Sequence, residues 1–269
     1  MAQENIALQS FENSTIDPQL FTIEDVANDN ACFYRAVANC LNHATNETTI
    51  VKIQNLEGYG KYKTIKESYN NKEWGYVSKK QDKLARILQS KAYKWIKKNF
   101  KNHLLEYDMD MGTMIFLTHE IDIDMYLDRY QYFAGDTIVD EVDTGKMHKS
   151  GDKKGEYIIQ KEEMEDRWGG TPEQIALSEY YKLPIIILTS QKFNLRSNKI
   201  NTGKIRNNKA EKCVKFKVLQ IIGKQYLQDK EPIFILWKKH NTLGHYMSLY
   251  LKDKAKRIIN SIIHSYTYS

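Results

Sequence analysis

The sequence predicts a mixed α+β chain, a single domain whose central twisted sheet is flanked by helices, and three observations predict it. Apolar residues recur at helical spacing through much of the first 180 residues, while β-branched and aromatic runs of strand length crowd the last third. Helices ahead of a late sheet are the element order of an α+β fold. No internal repeat or low-complexity tract divides the chain, and 269 residues, 41% of them hydrophobic, suffice to bury a sizeable core.

The elements follow in order. Residues 1–20 are polar and weakly patterned and are expected to form a loose arm ahead of a domain spanning 21–252. A helix is expected from Cys32 to His43, where Phe33, Val37, Cys40 and Leu41 fall on one stripe. Residues 52–80, rich in Lys, Asn, Tyr and Gly, read as a surface connection with some helix. "DKLARILQSKAYKWIKKNF" (82–100) is amphipathic, "IDIDMYLDRYQYF" (121–133) suits a helix with an acidic outer face, and 134–160 reads as a polar loop. Thr171 at an N-cap and Pro172 in the first turn start a helix that runs to Tyr181. It leads into "LPIIILTS" (183–190), whose β-branched run marks a buried strand. The basic stretch 191–213 reads as an exposed hairpin or loop. "VKFKVLQII" (214–222), "EPIFILWKK" (231–239) and "HYMSLYLK" (245–252) read as three more strands, and 253–269 as a C-terminal extension with a short last helix.

Composition excludes several classes. The longest apolar run, "LPIIIL" at 183–188, is strand-sized, so no membrane span is expected. The N-terminus lacks the basic flank and apolar core of a secretory signal. Three cysteines (Cys32, Cys40, Cys213) are too few and odd in number for a disulfide framework and fit a reducing, cytoplasmic compartment. No CxxC pair or dense His/Cys cluster suggests a metal. The net charge of +6 is polarised: 108–143 holds ten acidic residues against Arg129, and 191–217 holds nine Lys/Arg against Glu211. The basic run has only Phe193 and Phe216 as stacking platforms, so it reads as a solvated face and no nucleic-acid partner is expected.

The stretch "DNACFYRAV" (29–37) carries chemistry. A helix N-terminus stabilises a thiolate through unpaired N–H groups and the macrodipole, and Cys32 falls at the first turn of its helix. The preceding turn, with Asn30 and Ala31, would aim further N–H groups at the same spot as an oxyanion hole. Cys40 lies on the apolar stripe and reads as core. A cysteine nucleophile needs a histidine close in space. His43 lies roughly 16 Å along the helix axis from Cys32, too far to serve. His103, His119, His148 and His264 sit in polar or loop contexts without a rigid mount, and His240 ends a strand. His245 follows a glycine and opens an apolar strand, the best mount of the seven. Alone, a histidine at a strand start is more often structural.

Three blocks then point to one family. "DNACFYRA" resembles the Asp-Gly-Asn-Cys-Leu/Phe-Phe/Tyr-Arg-Ala signature of ovarian-tumour (OTU) domain cysteine proteases, which are deubiquitinases with a papain-related fold. "RWGGTPEQIALSEYYKLPIIIL" (167–188) is similar to that family's Trp-Gly turn, Glu-containing helix and buried strand, and "GHYMSL" (244–249) to its terminal Gly-His-Tyr block. The blocks occur in family order across about 220 residues. The resemblance implies Cys32 as nucleophile, His245 as general base and Asp29 as the motif aspartate that shapes the turn. It implies hydrolysis of the bond after the C-terminal Gly-Gly of ubiquitin, with ubiquitin and polyubiquitin chains as partners, no cofactor and a monomer.

Two departures qualify it. Asn30 stands where the motif has Gly, and Asn tolerates positive φ better than other non-glycine residues; Ala31 stands where the motif has Asn. Met247 stands two residues after the histidine, where the family has an orienting Asp or Asn. Asp29 and Asn241 are the substitutes legible in sequence, or no orienter exists. A diglycine tail predicts a narrow aromatic channel, with Tyr34, Trp168 and Tyr246 as candidate walls, though buried core is the plainer reading of each. The 120–143 region, with Asp136, Asp140, Glu141 and Asp143, is the candidate acidic surface for ubiquitin's basic face. Two alternatives stay open: an inactive ubiquitin-binding module, and a protease for another ubiquitin-like modifier. The Asn-, Ile- and Lys-rich composition suggests an AT-rich genome, and with it delivery into a host cytosol as a bacterial effector or viral protein.

Overall fold

Ile185, Ile186, Ile187 and Leu188 are all buried, so the strand that contains them is covered on both faces. In the computed structural model they form the middle of a six-stranded mixed sheet. The structure describes residues 15–27, 29–43, 68–71, 75–136, 139–147, 157–163, 168–194, 212–240, 243–253, 255, 256, 259 and 263. Among these the elements are β1 (Thr15–Ile16), β2 (Phe21–Glu24), α1 (Cys32–His43), β3 (Ser68–Asn71), β4 (Gly75–Ser78), α2 (Lys79–Asn99), β5 (His103–Leu104), β6 (Met109–Asp110), α3 (Met111–His119), α4 (Ile123–Tyr130), β7 (Val139–Met147), β8 (Tyr157–Glu163), α5 (Thr171–Tyr181), β9 (Ile185–Asn194), β10 (Lys212–Ile222), β11 (Ile233–His240) and β12 (Leu243–Leu251).

The sheet order is β1-β10-β9-β11-β12-β2. Only β9 and β11 pair in parallel; every other neighbour is antiparallel. Alternation along β9 and β11 sends Ile185, Ile187, Ile233 and Ile235 into a core shared with α1, α2 and α5. Ile186, Leu188, Phe234 and Leu236 point the other way, to a second core with Phe21, Phe216, Ile259 and Ile263. The α+β class and the four expected late strands are thus present.

Several elements differ from expectation. Residues 15–20 are not a loose arm: Ile16 is buried on β1, and Pro18–Leu20 form a 3-10 turn capped by the Asp17 carboxylate. Helix α3 was not expected, because Phe116 and Leu117 are exposed while Met111, Met114 and Ile115 are buried, so no single apolar stripe stands out. The described parts of the expected loop 134–160 include a hairpin of β7 and β8, whose charged residues hide strand alternation. Strand β2 went unread because four residues, "FTIE", carry too short a pattern. His119 does have a rigid mount, at the end of α3 with its side chain only 3% exposed.

Candidate active site

The chain turns sharply between β2 and α1, and Asp29 builds the turn. Its carboxylate accepts the Ala31 N–H at 3.1 Å, and its carbonyl accepts the Cys32 N–H at 3.0 Å. These bonds set Cys32 as the first residue of α1, with its thiol buried. Asn30 is not among the described residues with positive φ, so the turn runs without the conformation a glycine would favour. The N–H groups of Ala31 and Cys32 are thus both directed to Asp29 within the turn.

His245 is supplied from the far end of the chain. Strand β12 pairs with β11 through Lys238↔His245 and with β2 through Ser248↔Glu24. His245 lies past that last β2 pair, where the sheet edge opens toward the turn before α1. Its Nε2 meets the Asp25 Oδ1 at 2.7 Å. Burial disfavours the imidazolium, but the Asp25 hydrogen bond and the Cys32 sulfur, as acceptor and as charge, more than offset it, pushing the His245 pKa up to about 9. Nδ1 is buried and, among the described residues, meets no partner in hydrogen-bond geometry. It is the nitrogen left for Cys32, whose sulfur acts on the same ring. The bond to His245 in turn holds the Asp25 carboxyl below its ordinary range.

The carboxylate that meets the His245 ring is therefore Asp25, a residue sequence reasoning missed. Continuing the β2–β12 register one step past Ser248↔Glu24 sets Asp25 against Met247. The carboxylate absent at 247 comes from the neighbouring strand's end. Asp29, a candidate for that role, is excluded from it because Arg35 holds its carboxylate by Nε at 3.1 and 3.0 Å and by Nη2 at 2.8 Å. Asn241 lies outside the described residues.

The other expected site residues divide. Tyr34 is 1% exposed and Tyr246 8%, so both are core rather than open channel walls. Tyr246 stacks edge-on against Phe33 at 5.4 Å and accepts a hydrogen bond from Gln174 Nε2 at 2.9 Å. The immediate neighbours of Cys32 and His245 therefore clamp each other. Trp168 is 41% exposed and remains on the surface, its ring 5.3 Å from that of His119. Behind it Glu173 is fully buried, accepting from Tyr126 Oη at 2.6 Å and from the Gly170 N–H at 2.6 Å, with His119 Nε2 at 3.2 Å. Glu173 thus braces α5 against α3 and α4. Asp136 is gripped by Arg86 at 2.6 and 2.7 Å. Asp140, Glu141 and Asp143 lie on β7, and their side chains are outside the described set.

The arrangement provides a thiol, an imidazole with one nitrogen open to it, and a carboxylate on the other nitrogen. That is the order needed to transfer a proton from sulfur and return it to a leaving group. Among the described residues, no group of three or more His, Cys, Asp or Glu is placed to hold a metal. Nor, among them, is any helix long and apolar enough to cross a membrane.

Among solved structures, the chain is similar to the Hazara virus OTU bound to ubiquitin, at 13% identity and a TM-score of 0.40, over 89% of this chain and 87% of that one. No protein-family model and no curated protein matches it.

Proposed function

We propose that the chain is a thiol-dependent deubiquitinase that hydrolyses the isopeptide bond after the C-terminal Gly-Gly of ubiquitin. The observation that carries the reading is the convergence of Cys32, His245 and Asp25 from three separate chain segments, the first two within sequence blocks that resemble OTU proteases. Met247 and Ala31 were the two grounds for an inactive module; the carboxylate of Asp25 against His245 answers the first.

In the reaction, the proton shared by the pair rests on His245 Nδ1, which holds it up to about pH 9, and the Cys32 thiolate attacks the glycine carbonyl. Asp25 holds Nε2 and stabilises the imidazolium that forms. Because the Ala31 and Cys32 N–H groups are committed to Asp29, the oxyanion draws chiefly on the positive field at the α1 N-terminus. As the tetrahedral adduct collapses, the C–N bond breaks and the lysine amine leaves with the proton from His245. Water, deprotonated by the same imidazole, then cleaves the thioester and restores the thiol. Exposed Trp168 is the remaining candidate wall for the diglycine tail. Asp140, Glu141 and Asp143 carry the acidic surface for ubiquitin's basic face; the charge of Asp136 is already met by Arg86.

The test is intact mass after incubation with a ubiquitin C-terminal electrophile. Wild type is expected to gain one ubiquitin, Cys32→Ala none, and His245→Ala to react at least roughly 100-fold more slowly. A folded wild type that binds ubiquitin without forming the adduct would leave the binding module. An adduct formed only with the electrophile of another diglycine-tailed modifier would keep the chemistry and change the substrate.

A further inference from the structure

The residues around the nucleophile's turn continue into a chain of alternating charge that the proposed chemistry does not use. Asp29 takes Nε and Nη2 of Arg35, and Arg35 Nη1 reaches Asp82 Oδ1 at 3.0 Å. The other Asp82 oxygen takes Arg86 Nε at 2.8 Å, and Arg86 closes on Asp136 with both terminal nitrogens. Five side chains thus run from the turn before α1, across α2, to the loop at 133–136. The Phe133 ring lies beneath both guanidiniums, 5.5 Å from Arg35 and 4.3 Å from Arg86. Gly135 seals the inner link: a Cβ there would stand 3.0 Å from both Arg35 Nη2 and Asp29 Oδ2, and 2.8 Å from Phe133 Cε1.

Arg35 is 3% exposed. Burial disfavours its charge, and Asp29 followed by Asp82 more than restores it. A buried ion pair is poor evidence of a stability gain, because desolvation consumes most of the attraction. What this one fixes is geometry. The carboxylate that Arg35 grips belongs to the residue that accepts the Ala31 N–H through its side chain and the Cys32 N–H through its carbonyl. Rotating Asp29 would tilt the peptide that begins α1 and shift the Cys32 sulfur from the imidazole. Thiol-to-imidazole transfer tolerates such shifts poorly, since a displacement of about 1 Å can cost roughly 100-fold.

We infer that Arg35, Asp82 and Arg86 are positioning residues, acting in series through Asp29 to hold Cys32 against His245. The inference rests on Cys32 being the nucleophile, so its test must tell the two apart. Alkylation of the full-length chain by iodoacetamide, read by mass at Cys32 and Cys40 between pH 5 and 10, does so without ubiquitin. If Cys32 in wild type reacts no faster than a thiol in the denatured chain, the nucleophile reading fails. Where it does react faster, Asp82→Asn, at a half-exposed link, is expected to slow Cys32 by roughly 3- to 10-fold with Tm unchanged, and Arg35→Met by up to about 100-fold. Arg35→Lys, which keeps the charge and loses the fork, should recover part of the loss. Because the links act in series, Asp82→Asn should cost nothing further in the Arg35→Met background. Wild-type rates in folded Asp82→Asn, or effects of the two substitutions that add in full, would overturn the inference. Should Arg35→Met fail to fold, Arg86→Gln paired with Asp82→Asn gives the same test of series against additive behaviour.

Discussion

His245 is held more basic than a free imidazole against the opposition of its own burial. The bond from Asp25 to Nε2 and the neighbouring Cys32 sulfur raise its pKa to about 9. A raised histidine stabilises the fold by binding a proton more tightly folded than unfolded. That contribution is complete below the ordinary value of 6.5 and is lost as pH climbs through about 9. The same proton serves the leaving amine, so kcat/KM for a ubiquitin C-terminal amide is expected to fall on the alkaline side with a midpoint near pH 9. In Asp25→Ala the midpoint should move toward 6.5, with the rate at pH 8 down about 10-fold or more. A pH–rate profile with the same alkaline limb in both proteins would separate Asp25 from the base. Cys32 and His245 could be singled out in sequence, Cys32 from the local pattern of a helix start and His245 only beside the blocks that resemble a family. Asp25 could not: it meets a partner 220 residues away, and only the β2–β12 pairing makes them neighbours. Asp29 was expected to shape the turn before Cys32, and it does; its grip by Arg35 was not legible, because only the folded first turns of α1 bring that guanidinium to it.

At the scale of elements, the N-terminal turn of α1 is seated by Phe33. Its ring lies against Tyr246 on β12 and under the backbone of Gly169, where an added Cβ would collide with the ring. Gly169→Ala should therefore push Phe33, and Cys32 with it, away from β12. We expect a loss of about 1–3 kcal/mol from overpacking, seen as a lower Tm, together with slower labelling by the ubiquitin electrophile. Slower labelling without a Tm change would mean that Gly169 contacts the substrate tail instead. The partner of Gly169 was invisible in sequence until α1 and α5 were brought together. Elements with one clear stripe or one dense β-branched run, such as α1 and β9, were legible, and α5 was found from the Pro172 start signal. Helix α3, apolar on more than one side, was not, because burial by distant neighbours decides which of its apolar residues face inward; nor was β7, whose charged residues hide the alternation of a strand.

At the scale of the whole molecule, the site depends on three chain segments meeting at one end of the sheet. Asp25 follows β2, an edge strand of four residues, and edge strands are the first to fray. Here β2 is anchored into the second core. Phe21 packs against Phe216 at 5.9 Å and Phe234 at 5.3 Å, Glu24 accepts from Tyr250 Oη at 2.6 Å, and the Lys252 N–H donates to the Leu20 carbonyl at 3.0 Å. These ties join the edge to β11 and β12, so Asp25 should stay in place until the sheet itself gives way. Cys40 reports on that sheet: its buried thiol, donating to the Phe234 carbonyl at 3.3 Å, has its pKa pushed up to about 12 and should resist alkylation in the folded chain. Across a urea titration, enhanced reactivity at Cys32 is expected to vanish, and labelling of Cys40 to appear, at the same midpoint as the loss of far-ultraviolet circular dichroism. Phe21→Ala should shift all three midpoints together, by the equivalent of about 3–5 kcal/mol. Loss of the Cys32 reaction in Phe21→Ala at urea concentrations where Cys40 remains protected would instead make β2 an independently detaching strand, and the site's integrity a local equilibrium rather than a property of the whole fold.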